Sequence, residues 1–175
     1  MPSAWQAIAH RTRRAGPLYA VEPEDSDGEL MQPLGNVLGD SAETRFGPDA
    51  LLLCGFLPEE TEVVSVMLRE LGADFVKLVV CCPGMENLPL GDALLENQSP
   101  ADRRRPALGV PRILFISGMT SEEVSMLIDA FLELELPATL FAAAVPRSMD
   151  KPLAQLFDEI TGDHERLLQQ QREPV

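Results

Sequence analysis

Residues 51–95 and 114–158 align without a gap at a constant offset of 63. Leu51, Gly55, Glu59, Glu60, Glu70, Leu71, Pro83, Pro89 and Leu90 recur as Leu114, Gly118, Glu122, Glu123, Glu133, Leu134, Pro146, Pro152 and Leu153. Shared positions of this kind are turn, cap and packing residues. They constrain architecture and leave chemistry open.

Within the first copy, 50–54 is a short apolar run and 75–82 a longer one rich in β-branched residues. Neither alternates apolar with polar, the pattern of strands covered on both faces. Between them Val64, Met67, Leu68 and Leu71 fall at helical spacing, after Pro58 at a first-turn position and Glu59, Glu60 and Glu62 near the positive end of the helix dipole. The spacing predicts a helix over 58–71 and hence a strand-helix-strand unit with a right-handed crossover.

The second copy repeats the plan with different residues. A strand is predicted over 112–117, and Thr120 with Glu123 forms a T-x-x-E capping box before the apolar stripe Val124, Leu127, Ile128 and Phe131. The return strand covers 138–145, where Ala142, Ala143 and Ala144 leave room for a close helix. Each copy ends in a further helix, over 88–96 and 151–160, and 97–111 links the copies. One copy has too few strands for a stable sheet alone. The expected fold is α/β: two tandem βαβα repeats (51–95 and 112–160) sharing one four-stranded, mostly parallel or mixed sheet covered by helices.

Around this domain of 49–166 the chain changes character. Positions 1–20 hold Arg11, Arg13 and Arg14 and no acid, a start that resembles an organelle transit peptide, whereas 21–49 carry eight acids and one Arg. Residues 1–48 read as a flexible arm and 167–175 as a tail, because Glu22, Glu24, Asp25, Asp27 and Glu29 alternate with Pro, Ser and Gly and cannot bury enough apolar area to order.

The net charge of −14 disfavours nucleic-acid phosphate and anionic lipid. No apolar run approaches the roughly 20 residues of a membrane-spanning helix, so no membrane insertion is expected. Three cysteines, two of them adjacent, suit a reducing compartment better than a disulfide framework.

The second copy also resembles a known family. Residues 111–131, 140–146 and 153–160, with Ser117-Gly118-Met119-Thr120 leading into an acidic capping box and an Ala-rich strand ending in Pro146, are similar to the small domain-of-unknown-function family 3783 of bacteria, plants and algae. The resemblance covers about 112–166 and implies no activity, cofactor or catalytic residue. It implies that a plastid location is reasonable, with the cytoplasm as the alternative. Gly162 departs from the expected pattern by interrupting a helical ending near Asp163 and His164.

Few residues point to chemistry. Gly55 and Gly118 each follow a strand and precede a helix N-terminus, where backbone N–H groups can bind an anion. No G-x-G-x-x-G or P-loop pattern is present, and the acidic first turns oppose phosphate. Cys54 ends one strand beside a helix start, and Cys81 and Cys82 end the next. Their equivalents are Ser117, Ala144 and Val145, so small packing residues suffice there. His164 has no matched nucleophile, Ser117, Ser121 and Ser125 lack a nucleophile elbow, and Arg103–Arg105 form the only basic run.

Two functions remain. The leading expectation is a non-enzymatic protein-interaction or regulatory module, an accessory or assembly factor with a protein partner, no cofactor, no metal and no catalytic residue. The alternative is a small-molecule or anion-binding domain, or a thiol-dependent enzyme, using a common carboxyl edge of the sheet lined by Cys54, Gly55, Cys82, Ser117, Gly118 and Thr120.

Overall fold

The computed structural model describes residues 45–172 and the short strand Tyr19–Ala20; the rest of the expected arm and residues 173–175 lie outside the described residues. In chain order the elements are β1 (Tyr19–Ala20), β2 (Ala50–Cys54), α1 (Pro58–Glu70), β3 (Lys77–Val80), α2 (Leu90–Leu94), β4 (Ile113–Ser117), α3 (Ser121–Glu133), β5 (Leu140–Ala143) and α4 (Leu153–Arg172). The starts of β4, β5, α3 and α4 fall at the repeat offset from those of β2, β3, α1 and α2.

Four strands form the body of a mixed sheet in the order β3-β2-β4-β5, and β1 extends it beyond β5. Pairing is parallel within β2/β3 and β4/β5 and antiparallel between β2 and β4, where Leu52 lies opposite Phe115. Those two residues are themselves equivalent by the offset, so the halves meet head to head about a point between them. The same relation governs the hydrogen bonds. Lys77 N–H donates to the Asp49 carbonyl at 2.9 Å and Leu140 N–H to that of Arg112 at 3.1 Å. Across the pseudo-twofold axis, Leu90 N–H donates to the Lys151 carbonyl and Leu153 N–H to the Leu88 carbonyl, both at 3.0 Å, around a bridge between Pro89 and Pro152.

Every residue of β2 and β4 is buried, in keeping with the continuous apolar run at 50–54. Because side chains alternate across a strand, each segment serves two cores. Leu51, Leu53, Leu114 and Ile116 face α1 and α3, joined by Phe56, Val64, Leu68, Leu127 and Phe131. Ala50, Leu52, Ile113 and Phe115 face α2 and α4, joined by Leu90, Leu94, Leu153, Leu156 and Phe157. Each fully buried Leu or Phe contributes about 1.5–3 kcal/mol.

One expectation is corrected. Gly162 does not interrupt the last helix, which runs unbroken from Leu153 to Arg172. A helical glycine costs about 1 kcal/mol relative to alanine. That cost is offset by the buried stripe Leu153, Leu156, Phe157 and Ile160 and by side-chain bonds such as Lys151 Nζ to Glu159 at 2.7 Å and Arg166 to Asp163 at 3.0 Å. Strand β3 is also shorter than the predicted 75–82: Phe75 is 56% exposed and precedes the strand, in a turn where Val76 N–H bonds to the Ala73 carbonyl.

Candidate functional site

The antiparallel junction divides the six candidate residues. Ser117 lies beside Ala50 at the start of β2, whereas Cys54 lies beside Ile113 at the start of β4. Cys54, Gly55 and Cys82 therefore gather at one end of the sheet, and Ser117, Gly118 and Thr120 at the other. In a fully parallel sheet all six would share a carboxyl edge. Here no common edge exists for them to line.

Each end is built in the same way. At the first, Leu57 precedes α1, and its N–H donates to Glu60 Oε2 at 2.8 Å. Arg112, arriving from just before β4, donates to the same oxygen at 2.7 Å and to the Gly55 carbonyl at 3.3 Å. Its guanidinium carbon lies 4.0 Å from the Phe56 ring centroid, and its Nε donates to Thr139 Oγ1 at 2.9 Å. At the second end, Thr120 N–H donates to Glu123 Oε2 at 2.9 Å and Thr120 Oγ1 accepts from Glu123 N–H at 3.2 Å. Arg45 pairs with Glu123 Oε1 and donates to the Gly118 carbonyl at 3.2 Å. Glu60 and Glu123 are equivalent, and so are the two glycine carbonyls. Arg45 and Arg112 are not, yet they perform the same task.

The glycines explain why the chain turns so tightly. Gly55 and Gly118 have φ of +75° and +77°, a region that side chains with a Cβ rarely adopt. A Cβ at Gly55 would lie 3.0 Å from Pro111 O and Arg112 Cα. One at Gly118 would lie 2.7 Å from Pro48 O and 2.8 Å from Asp49 Cα. Pro48 and Pro111 are related by the repeat offset as well. Behind Gly118, the space bounded by Arg45, Asp49, Phe75, Val76, Met119 and Glu123 has no volume that a water could enter.

At each helix start one carboxylate of the chain accepts the N–H of the residue before the helix, and an arginine neutralises that carboxylate. Although burial acts to raise it, the Glu60 carboxyl is held below its usual range by hydrogen bonds from Arg112 and Leu57.

The cysteines do not open onto solvent as a group. Cys54 and Cys81 are fully buried on the α2/α4 side; burial, then Cys81, pushes the Cys54 thiol well up, whereas the neighbouring Cys54 holds the Cys81 thiol below its usual range. Cys82 is half-buried, its Sγ 3.2 Å from the Asp102 carbonyl, and its pKa is raised by burial, then by Cys81, Asp102 and Glu96. A raised pKa makes a thiol a poor nucleophile near neutrality. Among the described residues no group of three or more His, Cys, Asp or Glu side chains is placed to hold a metal. Ser117 Oγ is buried, and among the described residues it has no hydrogen-bond partner. His164 lies on α4.

Sequence reasoning missed Arg45 and Arg112. The available signal was the recurrence of Pro48 as Pro111, which carries the alignment upstream of the strand and marks the segments that wrap the glycine turns.

One open groove involves none of the six candidates. It has a volume of about 600 Å³ and is lined on one wall by Pro58, Glu59, Thr61, Glu62 and Ser65 of α1, on the other by Pro100, Arg103 and Arg104, with Leu78 of β3 between.

Fold and site together define a mixed α/β domain whose strand ends are closed by its own side chains. Comparison with known proteins agrees at the level of the second half: the family described as Domain of unknown function (DUF3783) matches residues 112–167. That segment runs from Arg112 before β4 into α4. No curated protein and no solved structure matches the chain. Among the described residues no helix is long and apolar enough to cross a membrane.

Proposed function

We propose that this domain is a non-enzymatic protein-interaction module, an accessory or assembly factor that works by holding another protein. The observation that carries this reading is the closure of both strand ends. Where an α/β enzyme or binding protein keeps a crevice, this chain places Glu60 with Arg112 and Glu123 with Arg45. The net charge of −14 supports a protein partner over a nucleic acid. The Arg-bearing, acid-free segment 1–20 supports delivery to a plastid.

Affinity capture of the tagged full chain from native extract, followed by size-exclusion chromatography, tests the proposal. The expected result is a stable complex with one partner near equal stoichiometry. Elution of all the protein as a free 19.2 kDa monomer refutes it.

A further inference from the structure

Resting on the interaction-module reading, we infer that the β3 edge of the sheet is the docking surface, and that its occupant is an extended, acidic segment of a partner protein added as a further strand.

Strand β3 ends the sheet on its side. Lys77 N–H bonds to the Asp49 carbonyl and Cys81 N–H to the Leu53 carbonyl. Residues 77, 79 and 81 therefore face β2, and Leu78 and Val80 turn their main-chain groups outward. Val80 is capped within the chain: its N–H donates to Gln98 Oε1 at 2.8 Å, and its carbonyl accepts from Gln98 Nε2 at 2.6 Å. One side-chain amide thus stands in for a neighbouring strand. Leu78 has no such cap, and no hydrogen bond to its outward groups exists among the described residues. It lies between the walls of the 600 Å³ groove. The unpaired part of this edge is Leu78, and an open main-chain position on an edge strand is where an added strand starts to pair.

The opposite edge shows what such a strand receives. Strand β5, the counterpart of β3 in the second half, carries β1 in parallel register, with Tyr19 beside Ala142 and Ala20 beside Ala143. On the β3 side no strand of the described residues takes that place.

Charge selects the occupant. Arg103 and Arg104 form one wall, and with Arg105 they are exposed and form no ion pair among the described residues. They are an unneutralised basic run in a chain of net charge −14. The facing wall presents Thr61 and Ser65 with Glu59 and Glu62, and Glu62 is paired with Arg69 at 3.8 Å. A strand in the groove points alternate side chains to opposite walls. Acids at every second position would meet the arginines, and small hydroxyl residues between them would meet α1.

The test titrates the full, isotope-labelled chain with an acetylated, amidated octapeptide of alternating Asp and Thr. Three control peptides replace Asp by Lys, N-methylate alternate backbone amides, or reproduce residues 22–29 of this chain. The Asp-Thr peptide is expected to shift the amide resonances of Leu78, Ser65 and Arg103, and to bind at least tenfold more tightly than the Lys and N-methylated peptides. The R103E/R104E double variant should lose at least tenfold in affinity, with its spectrum otherwise retained. Gln98→Ala, which frees the Val80 main chain, should tighten binding several-fold, an effect that a purely structural role for Gln98 does not give. Equal binding of the Lys peptide, shifts confined to other surfaces, or weaker binding to Gln98→Ala would overturn the inference. Tighter binding of the 22–29 peptide than of the Asp-Thr peptide would overturn the partner assignment in favour of the chain's own arm. A complex recovered from extract that survives R103E/R104E would remove this surface alone and leave the interaction-module reading standing.

Discussion

The glycine turns give the sharpest test of the closed-end architecture, because four glycines share a backbone conformation and differ in what surrounds them. Gly84 and Gly109, with φ of +93° and +77°, have nothing within 4 Å of an added Cβ. Alanine at either position should cost only the left-handed backbone penalty, about 1–2 kcal/mol. At Gly55 the same penalty is joined by contacts of 3.0 Å with the main chain of Pro111 and Arg112. Overpacking of this kind adds about 1–3 kcal/mol, for a total of about 2–5 kcal/mol. At Gly118 the added methyl meets Asp49 Oδ1 at 2.5 Å, Pro48 O at 2.7 Å and Asp49 Cα at 2.8 Å. The Asp49 carboxylate can swing away, but the two main-chain atoms move only with the segment that holds Arg45 on Glu123. Gly118→Ala should therefore be the most destabilising, at about 4 kcal/mol or more. Urea unfolding followed by circular dichroism reads the series directly. With a slope of about 2 kcal/mol/M, the midpoint falls by about 0.5–1 M for Gly84→Ala and Gly109→Ala, about 1–2.5 M for Gly55→Ala, and toward or beyond the top of that range for Gly118→Ala. A Gly118→Ala midpoint within about 0.3 M of Gly84→Ala would mean that this end of the sheet has room, and the closure argument would fail.

Stability should fall as acid titrates Glu60: its lowered pKa makes its contribution complete above the unfolded value of about 4.3 and lost as pH drops through the folded one. Glu60→Gln should flatten the acid limb of a stability-versus-pH curve, and an unchanged limb would count against the Arg112 clamp. Alkylation of the native protein at neutral pH should leave Cys54 and Cys81 unlabelled until urea unfolds the chain, with slow labelling of Cys82; rapid native labelling of Cys54 would contradict its burial. Gly162→Ala should stabilise by about 1 kcal/mol, since φ there is helical and a methyl meets nothing within 4 Å; a loss of stability would show an unseen constraint on α4. Phe115→Ala, which empties the α2/α4 core at the pseudo-twofold axis, should cost about 3–5 kcal/mol in the same denaturation assay.

Element types were legible in this chain because burial leaves a local mark. The apolar runs at 50–54 and 75–82 announce strands, and the Thr120–Glu123 box announces the start of α3 within a residue. Strand direction left no such mark. A strand buried on both faces has the same composition whichever way its neighbour runs, so nothing in the side chains of β2 and β4 distinguishes a common carboxyl edge from two opposite ends. One pair of residues did hold that information. Pro89 and Pro152 are equivalent by the offset and bridge each other, as equivalent residues do only about a twofold axis, but proline in a loop reads locally as a turn. The arginine clamps were illegible for a related reason. Arg45 and Arg112 occupy different positions in their halves, so comparison of the halves could not pair them. Phe75 shows the opposite failure, an apolar residue that periodicity assigns to a strand and the fold leaves exposed before it.

The head-to-head junction also decides where function can reside. In a doubly wound parallel sheet the helix N-termini collect along one edge, and their combined field and the gap between diverging loops make a ligand crevice. Here α1 and α3 start at opposite ends of an antiparallel pair, so each N-terminus stands alone. A lone helix N-terminus has three ways to satisfy its free N–H groups: water, a ligand or a side chain. The equivalent glutamates Glu60 and Glu123 take the third course for one N–H at each end, and the arginines make the carboxylates tolerable at low exposure. The sides of the sheet also present main-chain groups. On the β5 side they are met by Tyr19 and Ala20, on the β3 side by a single glutamine at Val80, and at Leu78 by nothing in the described chain. Under the proposal made above, recognition by this fold takes place at a strand edge, through main-chain pairing whose selectivity comes from the arginines beside it.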